Sequence, residues 1–315
     1  VDGSWVRRVA DYRGSQRGAG YYNGSYDDTL NEGNDWDAGD HFLQLSNREE
    51  ELIDQVTSNF DNVIVVYNGA NAFEMGWVKD YPQIKGVLLC PGTGQSGFEG
   101  FGRVVAGEVN PSGRTADTYV TDLTASPWWN NFGDFKYTNA SEFNSNASMF
   151  DPEGTTPSFV NYVEGIYVGY KFYETAADEG LIDYDKEVVY PFGYGLSYTT
   201  FEYSDLKADE KGVILTVTNT GSCAGAEIVQ LYVAKQDAKI FRPAQELKGF
   251  AKVFLAPGES RTVSIALDDK AFRYWNVKTD RWEVEGGSYQ LRVGASSADI
   301  RLTAEVSVKG TNAPD

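Results

Sequence analysis

Val63-Ile64-Val65-Val66-Tyr67-Asn68-Gly69 decides the fold class of the first half of this sequence. Five consecutive apolar or aromatic residues are the length of a strand and too short for a buried helix. With no polar alternation, the run suits a strand covered on both faces, and Asn-Gly ends it. A second run of the same kind is Gly86-Val87-Leu88-Leu89-Cys90, and a short helix is expected between the two, over 72–79. Upstream, Ser46-Asn47-Arg48-Glu49 reads as a capping box. Leu52, Ile53, Val56 and Phe60 follow at helical spacing, so an amphipathic helix is predicted over 47–59. Another helix is predicted over about 97–107. Strands alternating with helices in this way mark a parallel α/β layer.

Between the second strand and its helix lies Gly92-Thr93-Gly94-Gln95-Ser96-Gly97, with Asp117 further on. Alone this is the glycine fingerprint of a dinucleotide site. Against that reading, Pro91 precedes it and only two buried strands surround it. Asp117, moreover, follows the turn Asn110-Pro111-Ser112-Gly113-Arg114 rather than ending a strand. The plainer alternative is a tight glycine turn that packs helix against strand.

The pattern changes after Pro191-Phe192-Gly193-Tyr194-Gly195-Leu196-Ser197-Tyr198. Val213-Leu215-Val217 alternates, Asn219-Thr220-Gly221 turns, and Ile228–Val233 is another strand. Further strands are expected around Val253–Leu255, Val263–Leu267, Tyr274–Trp282 and Tyr289–Val293, punctuated by Pro257-Gly258 and Gly286-Gly287. Short strands at regular spacing describe a β-sandwich of immunoglobulin or fibronectin type. The expected organisation is therefore α/β plus all-β: residues 1–196 as a partial α/β sandwich with a mostly parallel sheet, and 197–315 as the β-sandwich.

Composition removes several function classes. A formal charge of −19 argues against nucleic acid as a partner, which needs basic patches. No apolar run approaches the length of a membrane span. Two cysteines make no disulfide framework. The single histidine, His41, excludes a multi-histidine metal site, and no G-x-S-x-G elbow accompanies it.

The chemistry is concentrated in Thr29-Leu30-Asn31-Glu32-Gly33-Asn34-Asp35-Trp36-Asp37-Ala38-Gly39-Asp40. Four carboxylates, Glu32, Asp35, Asp37 and Asp40, sit among glycines just ahead of a helix. Such a loop can carry an acid to a ligand; a solvated acidic loop is the bland alternative.

The run of motifs resembles glycoside hydrolase family 3, the β-glucosidase and exo-glucanase family. Val63–Gly69 looks like the strand and glycine turn of that family's second domain. Leu89-Cys90-Pro91-Gly92 with Gln95 and Gly97 is similar to its P-G-Q-x-x-G turn, with two extra residues. Asn110-Pro111-Ser112-Gly113-Arg114 matches N-P-S-G-R. Tyr162-Val163-Glu164-Gly165-Ile166-Tyr167-Val168-Gly169-Tyr170 matches Y-x-E-G-I-Y-V-G-Y. Tyr190–Tyr198 resembles the linker into the fibronectin-like domain, and Arg242-Pro243 with Glu246-Leu247-Lys248-Gly249-Phe250 a strand within it.

The resemblance implies a retaining glycosidase in which a (β/α)₈ barrel gives an Asp nucleophile from an S-D-W-like motif. The α/β sandwich then gives an acid/base Glu from an E-G-x-D-R loop. Asn31-Glu32-Gly33-Asn34-Asp35 is the matching stretch, which points to Glu32. Trp36 stands where Arg is expected, and Asp40-His41 could equally be the D-R equivalent. Asp35, Trp36 and His41 are the expected substrate-binding neighbours, and Arg114 is expected to pair with a carboxylate across its domain. Glu164 is the rival acid. No S-D-W occurs in the sequence, and only two or three strands of a layer of about six are visible. The resemblance therefore implies the rear of the sandwich plus the fibronectin-like domain, working with a barrel on another chain or segment. The implied substrate is a β-glucoside or oligosaccharide, with neither cofactor nor metal. A non-catalytic carbohydrate-binding or interaction fragment is the alternative. Composition leaves a secreted and a bacterial cytoplasmic location equally open.

Overall fold

A computed structural model describes residues 37, 40, 41, 43–69, 71–129, 139, 159 and 161–311. The chain divides into two compact units. One comprises residues up to 93 together with 120–168, the other 94–119 together with 169–315.

In the first unit, helix α1 (Asn47–Asn59) starts on a complete capping box. Ser46 Oγ accepts from Glu49 N–H, and the Glu49 carboxylate accepts from Ser46 N–H at 2.9 Å. Strand β1 (Val63–Tyr67) pairs in parallel with β2 (Ile84–Leu89), Val65 opposite Val87 and Tyr67 opposite Leu89. Asn68 seals the strand ends by donating from Nδ2 to the Cys90 carbonyl at 2.8 Å.

The helix expected over 72–79 is instead an extended segment followed by a 3₁₀ turn, Gly76–Asp80. The cause is tertiary pairing. Glu74 N–H is taken by the Leu43 carbonyl and Met75 N–H by the Val120 carbonyl, so these backbone groups are unavailable to a helix. The apolar strands are only partly covered, and Ile64, Leu52 and Phe60 are exposed.

The second unit contains helix α2 (Phe98–Val105), helix α3 (Tyr170–Asp178), the short helix α4 (Tyr184–Glu187) and the β-sandwich. Strands β3 (Tyr119–Val120) and β4 (Val188–Tyr190) are short. The sandwich strands are β5 (Phe201–Asp209), β6 (Gly212–Asn219), β7 (Gly225–Lys235), β8 (Glu246–Leu255), β9 (Ser260–Ala266), β10 (Arg273–Asn276), β11 (Arg281–Val284), β12 (Gly287–Gly294) and β13 (Ile300–Val308). One sheet runs β13-β12-β7-β8, the other β5-β6-β9, and β10-β11 is a separate hairpin. Strands β5 and β13 were absent from the sequence reading. The expected strand Tyr274–Trp282 is the β10-β11 hairpin.

The alternation read from sequence lies where the sheets face each other. Val213, Leu215 and Val217 of β6 pack with Val229, Leu231 and Val233 of β7, and with Val263 and Ile265 of β9. Strand β7 differs in being buried on nearly every residue, polar ones included. Its Gln230 donates from Nε2 to the carbonyls of Gly193 (3.0 Å) and Ala295 (2.6 Å) and accepts from Tyr232 OH at 2.6 Å. Gly193 is at φ +76, and a Cβ there would meet Gln230 Oε1 at 2.0 Å, so only glycine fits.

Candidate active-site segment

The acidic stretch ends on a fixed point. His41, 7% exposed, accepts from Leu43 N–H at Nδ1 (3.2 Å). An accepting Nδ1 leaves the ring proton on Nε2, so Nε2–H donates to Glu74 Oε1 at 3.0 Å. The same carboxylate oxygen accepts from Leu123 N–H at 2.7 Å. Trp129 lies against the imidazole, with ring centroids 4.6 Å apart, and Trp77 donates from its indole N–H to the Glu74 carbonyl at 3.0 Å. Glu74 thus ties together the end of the acidic stretch, the turn before β2 and the 3₁₀ turn Leu123–Ala125.

Asp40 holds the local chain: its carboxylate accepts from Asp37 N–H (2.7 Å) and from the Gln44 amide (2.8 Å). Asp37 in turn accepts from Asn47 Nδ2 at 3.2 Å, at the start of α1. The field here is negative. Glu50, on the first turn of α1, has its carboxyl held above the ordinary value, first by burial and then by Asp40, Asp54 and Asp37.

His41 and Asp40 are therefore described, and both are engaged with protein groups. Glu32, Asp35 and Trp36 lie outside the described residues. Glu164 sits in the turn before α3, next to the exposed side chains of Tyr162, Val163 and Ile166. Arg114 does pair with a carboxylate, but one in the expected β-sandwich rather than within residues 1–196: it meets Glu227 of β7 at 3.1 Å, and both side chains are buried. Sequence reasoning missed Glu74, which lies 33 residues from its histidine partner in a stretch read as helix. The one signal available was that a lone buried histidine needs a partner. Among the described residues no cluster of three or more His, Cys, Asp or Glu could hold a metal ion. No helix among them is long and apolar enough to cross a membrane.

Residues 23–198 match the glycosyl hydrolase family 3 C-terminal domain, and residues 227–297 the fibronectin type III-like domain. The chain belongs to glycosyl hydrolase family 3. Thermostable beta-glucosidase B of Acetivibrio thermocellus is 37% identical over 277 residues, covering 85% of this chain and 32% of that protein. Exo-alpha-(1->6)-L-arabinopyranosidase of Bifidobacterium longum is 38% identical over 274 residues, again 85% and 32%. Among solved structures, the family 3 beta-glucosidase of Bifidobacterium adolescentis superposes with TM-score 0.69 at 36% identity, over 85% of this chain and 36% of that one. Beta-glucosidase 3B of Thermotoga neapolitana, in complex with alpha-D-glucose, gives 0.70 at 35% identity, over 85% and 35%. The chain spans about a third of the length of the curated relatives it matches. Its fold is an α/β domain followed by a fibronectin type III-like sandwich.

Proposed function

We propose that this chain supplies the general acid/base of a retaining β-glycosidase of the β-glucosidase type. Glu32 acts on terminal β-linked sugars, and an Asp nucleophile comes from a (β/α)₈ barrel on another chain or segment. The observation that carries the reading is the position of Asn31-Glu32-Gly33-Asn34-Asp35. It stands a few residues ahead of the His41–Glu74 anchor, within the stretch that matches the family 3 C-terminal domain. In this reading the glycines around Glu32 let the stretch close over substrate and open again. Asp35 and Trp36 are the proposed substrate contacts beside the acid, and His41 holds the base of the loop.

Retention needs two carboxyl groups about 5–5.5 Å apart on either side of the anomeric carbon. The barrel Asp attacks that carbon as Glu32 protonates the departing glycosidic oxygen, leaving a glycosyl-enzyme. Glu32, now a carboxylate, takes a proton from water, which displaces the Asp. The relatives carry the names of a glucosidase and an arabinopyranosidase at nearly equal identity, so likeness to them does not select the sugar.

The test is p-nitrophenyl β-glucoside hydrolysis by the assembled enzyme, barrel included. Glu32→Gln is expected to lower turnover by about 10²–10⁴, with partial recovery on adding azide, which attacks the glycosyl-enzyme without base help. Azide-rescued loss at Asp40→Asn, with Glu32→Gln near wild type, overturns the residue. Sugar binding without turnover by the assembled protein overturns the enzyme reading in favour of a binding fragment.

A further inference from the structure

Helix α3 and the strip Ala244-Gln245-Glu246-Leu247 are joined residue by residue in reverse order. Thr175 Oγ1 accepts from Ala244 N–H at 3.0 Å. Glu174 Oε2 accepts from Gln245 Nε2 at 2.8 Å. Lys171 pairs with Glu246 at 3.0 Å, and Tyr170 OH accepts from Leu247 N–H at 2.9 Å. Gln245 is buried and fully used, since it also donates to the Ser297 carbonyl and accepts from Arg292.

Within this clasp one oxygen does not fit a charged state. Glu174 Oε1 is shut off from solvent and makes no hydrogen bond of good geometry; the enclosed hydroxyl of Ser297 beside it, like that of Tyr184, is likewise left without one. A carboxylate in such a place has lost its hydration without a full set of donors, whereas a neutral acid has far less to lose.

We propose that Glu174 is a proton-operated latch: the folded protein holds its carboxyl neutral, and ionisation loosens helix α3 from the 244–247 strip. The titratable and charged groups that face it are Tyr170 on its own helix, Tyr184 of α4, Tyr232 of β7 and Arg292 of β12. Three are phenols and the fourth is an arginine. Arg292 reaches Glu174 only through the Gln245 amide. Burial accordingly pushes the Glu174 carboxyl up to about 7, against the weaker pulls of Ser297, Gln245 and Arg292.

The sign follows. A carboxyl raised on folding binds its proton more tightly in the folded state, so folding weakens as pH rises from the ordinary carboxyl range to about 7 and then levels off. The folding constant falls by up to about tenfold per pH unit in that window. The latch is independent of the role proposed for Glu32.

Melting curves of the full chain between pH 5 and 8, wild type against Glu174→Gln, are the test. Gln keeps the size and an acceptor but cannot ionise. Wild type is expected to lose about 4–8 °C in Tm relative to the variant across that range; parallel profiles overturn the latch. Hydrogen exchange of the peptide spanning 243–248, in wild type alone, keeps the proposal testable if the variant does not fold. Corrected for intrinsic exchange, protection of the Ala244 and Leu247 amides should fall between pH 5 and 7.5. Constant protection overturns it.

Discussion

Replacing Arg114 by methionine should unfold this protein more readily than its single salt bridge suggests at first sight. The Arg114 and Glu227 side chains are 9% and 4% exposed, and Nη2 meets Oε1 at 3.1 Å. At that distance, with an effective dielectric near 20, the attraction is about 5 kcal/mol. Most of it offsets the desolvation of both charges, so the pair as a whole contributes little net stability. Removing one partner is different. Glu227 would remain buried with Tyr203 OH, at 3.2 Å, as its remaining hydrogen-bond donor among the described residues. The expected loss for Arg114→Met is about 3–5 kcal/mol. The double variant Arg114→Met/Glu227→Leu should recover most of that, to within about 1–2 kcal/mol of wild type. Urea unfolding followed by far-UV circular dichroism gives both values, and an unchanged m shows that the unfolding event is the same. A loss under about 1 kcal/mol in Arg114→Met would refute the reasoning. So would single losses that simply add in the double variant, since coupled partners must be non-additive.

Two further outcomes are expected. Glu74→Ala strips the acceptor from both His41 Nε2 and Leu123 N–H. It should cost about 2–3 kcal/mol and raise proteolytic cleavage within 37–45, detected by mass spectrometry after brief protease exposure. We also propose that the sandwich from 197 onward is an autonomous domain. A fragment of 197–311 keeps the apolar core and should melt in one transition by calorimetry. Because it lacks Arg114, Glu227→Leu should be neutral or stabilising in the fragment but destabilising in the full chain.

Local signals carried the elements and tertiary signals did not. Helix α1 was legible because its capping box and its apolar spacing are contained within a few residues. The parallel pair was legible because both strands are continuous apolar runs. The segment 72–79 misled because its apolar residues suit a helix, while its backbone bonds go to Leu43 and Val120, which no window of sequence contains. Strand β5 was hidden by Glu202, Asp205 and Lys207, polar residues on a sheet face turned to solvent. In β7 the alternation fails because both faces are covered, so Glu227 and Gln230 are buried polar groups rather than a solvated side. At the candidate site the sequence offered residue types, Glu, Asp, Trp and His near one another. The partner that fixes His41 came from 33 residues away.

The same contrast explains why family membership was easier to read than the site. The blocks that carry the resemblance are largely those that dock on the sandwich. In N-P-S-G-R, Asn110 accepts from Ser197 Oγ and Tyr198 N–H and donates to the Ala224 carbonyl, while Arg114 reaches Glu227. In the linker block, Gly193 takes Gln230, and Gly195 packs so closely on Gly113 that a Cβ would meet its carbonyl at 2.3 Å. At the end of Y-x-E-G-I-Y-V-G-Y, Tyr170 stacks on Phe192 and holds Leu247. Each residue is fixed by a hydrogen bond, an ion pair or a contact too tight for a side chain, so changing one partner alone is costly. At the candidate site the described part of the acidic stretch is anchored by Asp40 and by His41 on Glu74. Trp36, where Arg is expected, lies outside the described residues, so that departure bears on the proposed role of Glu32 and not on the fold.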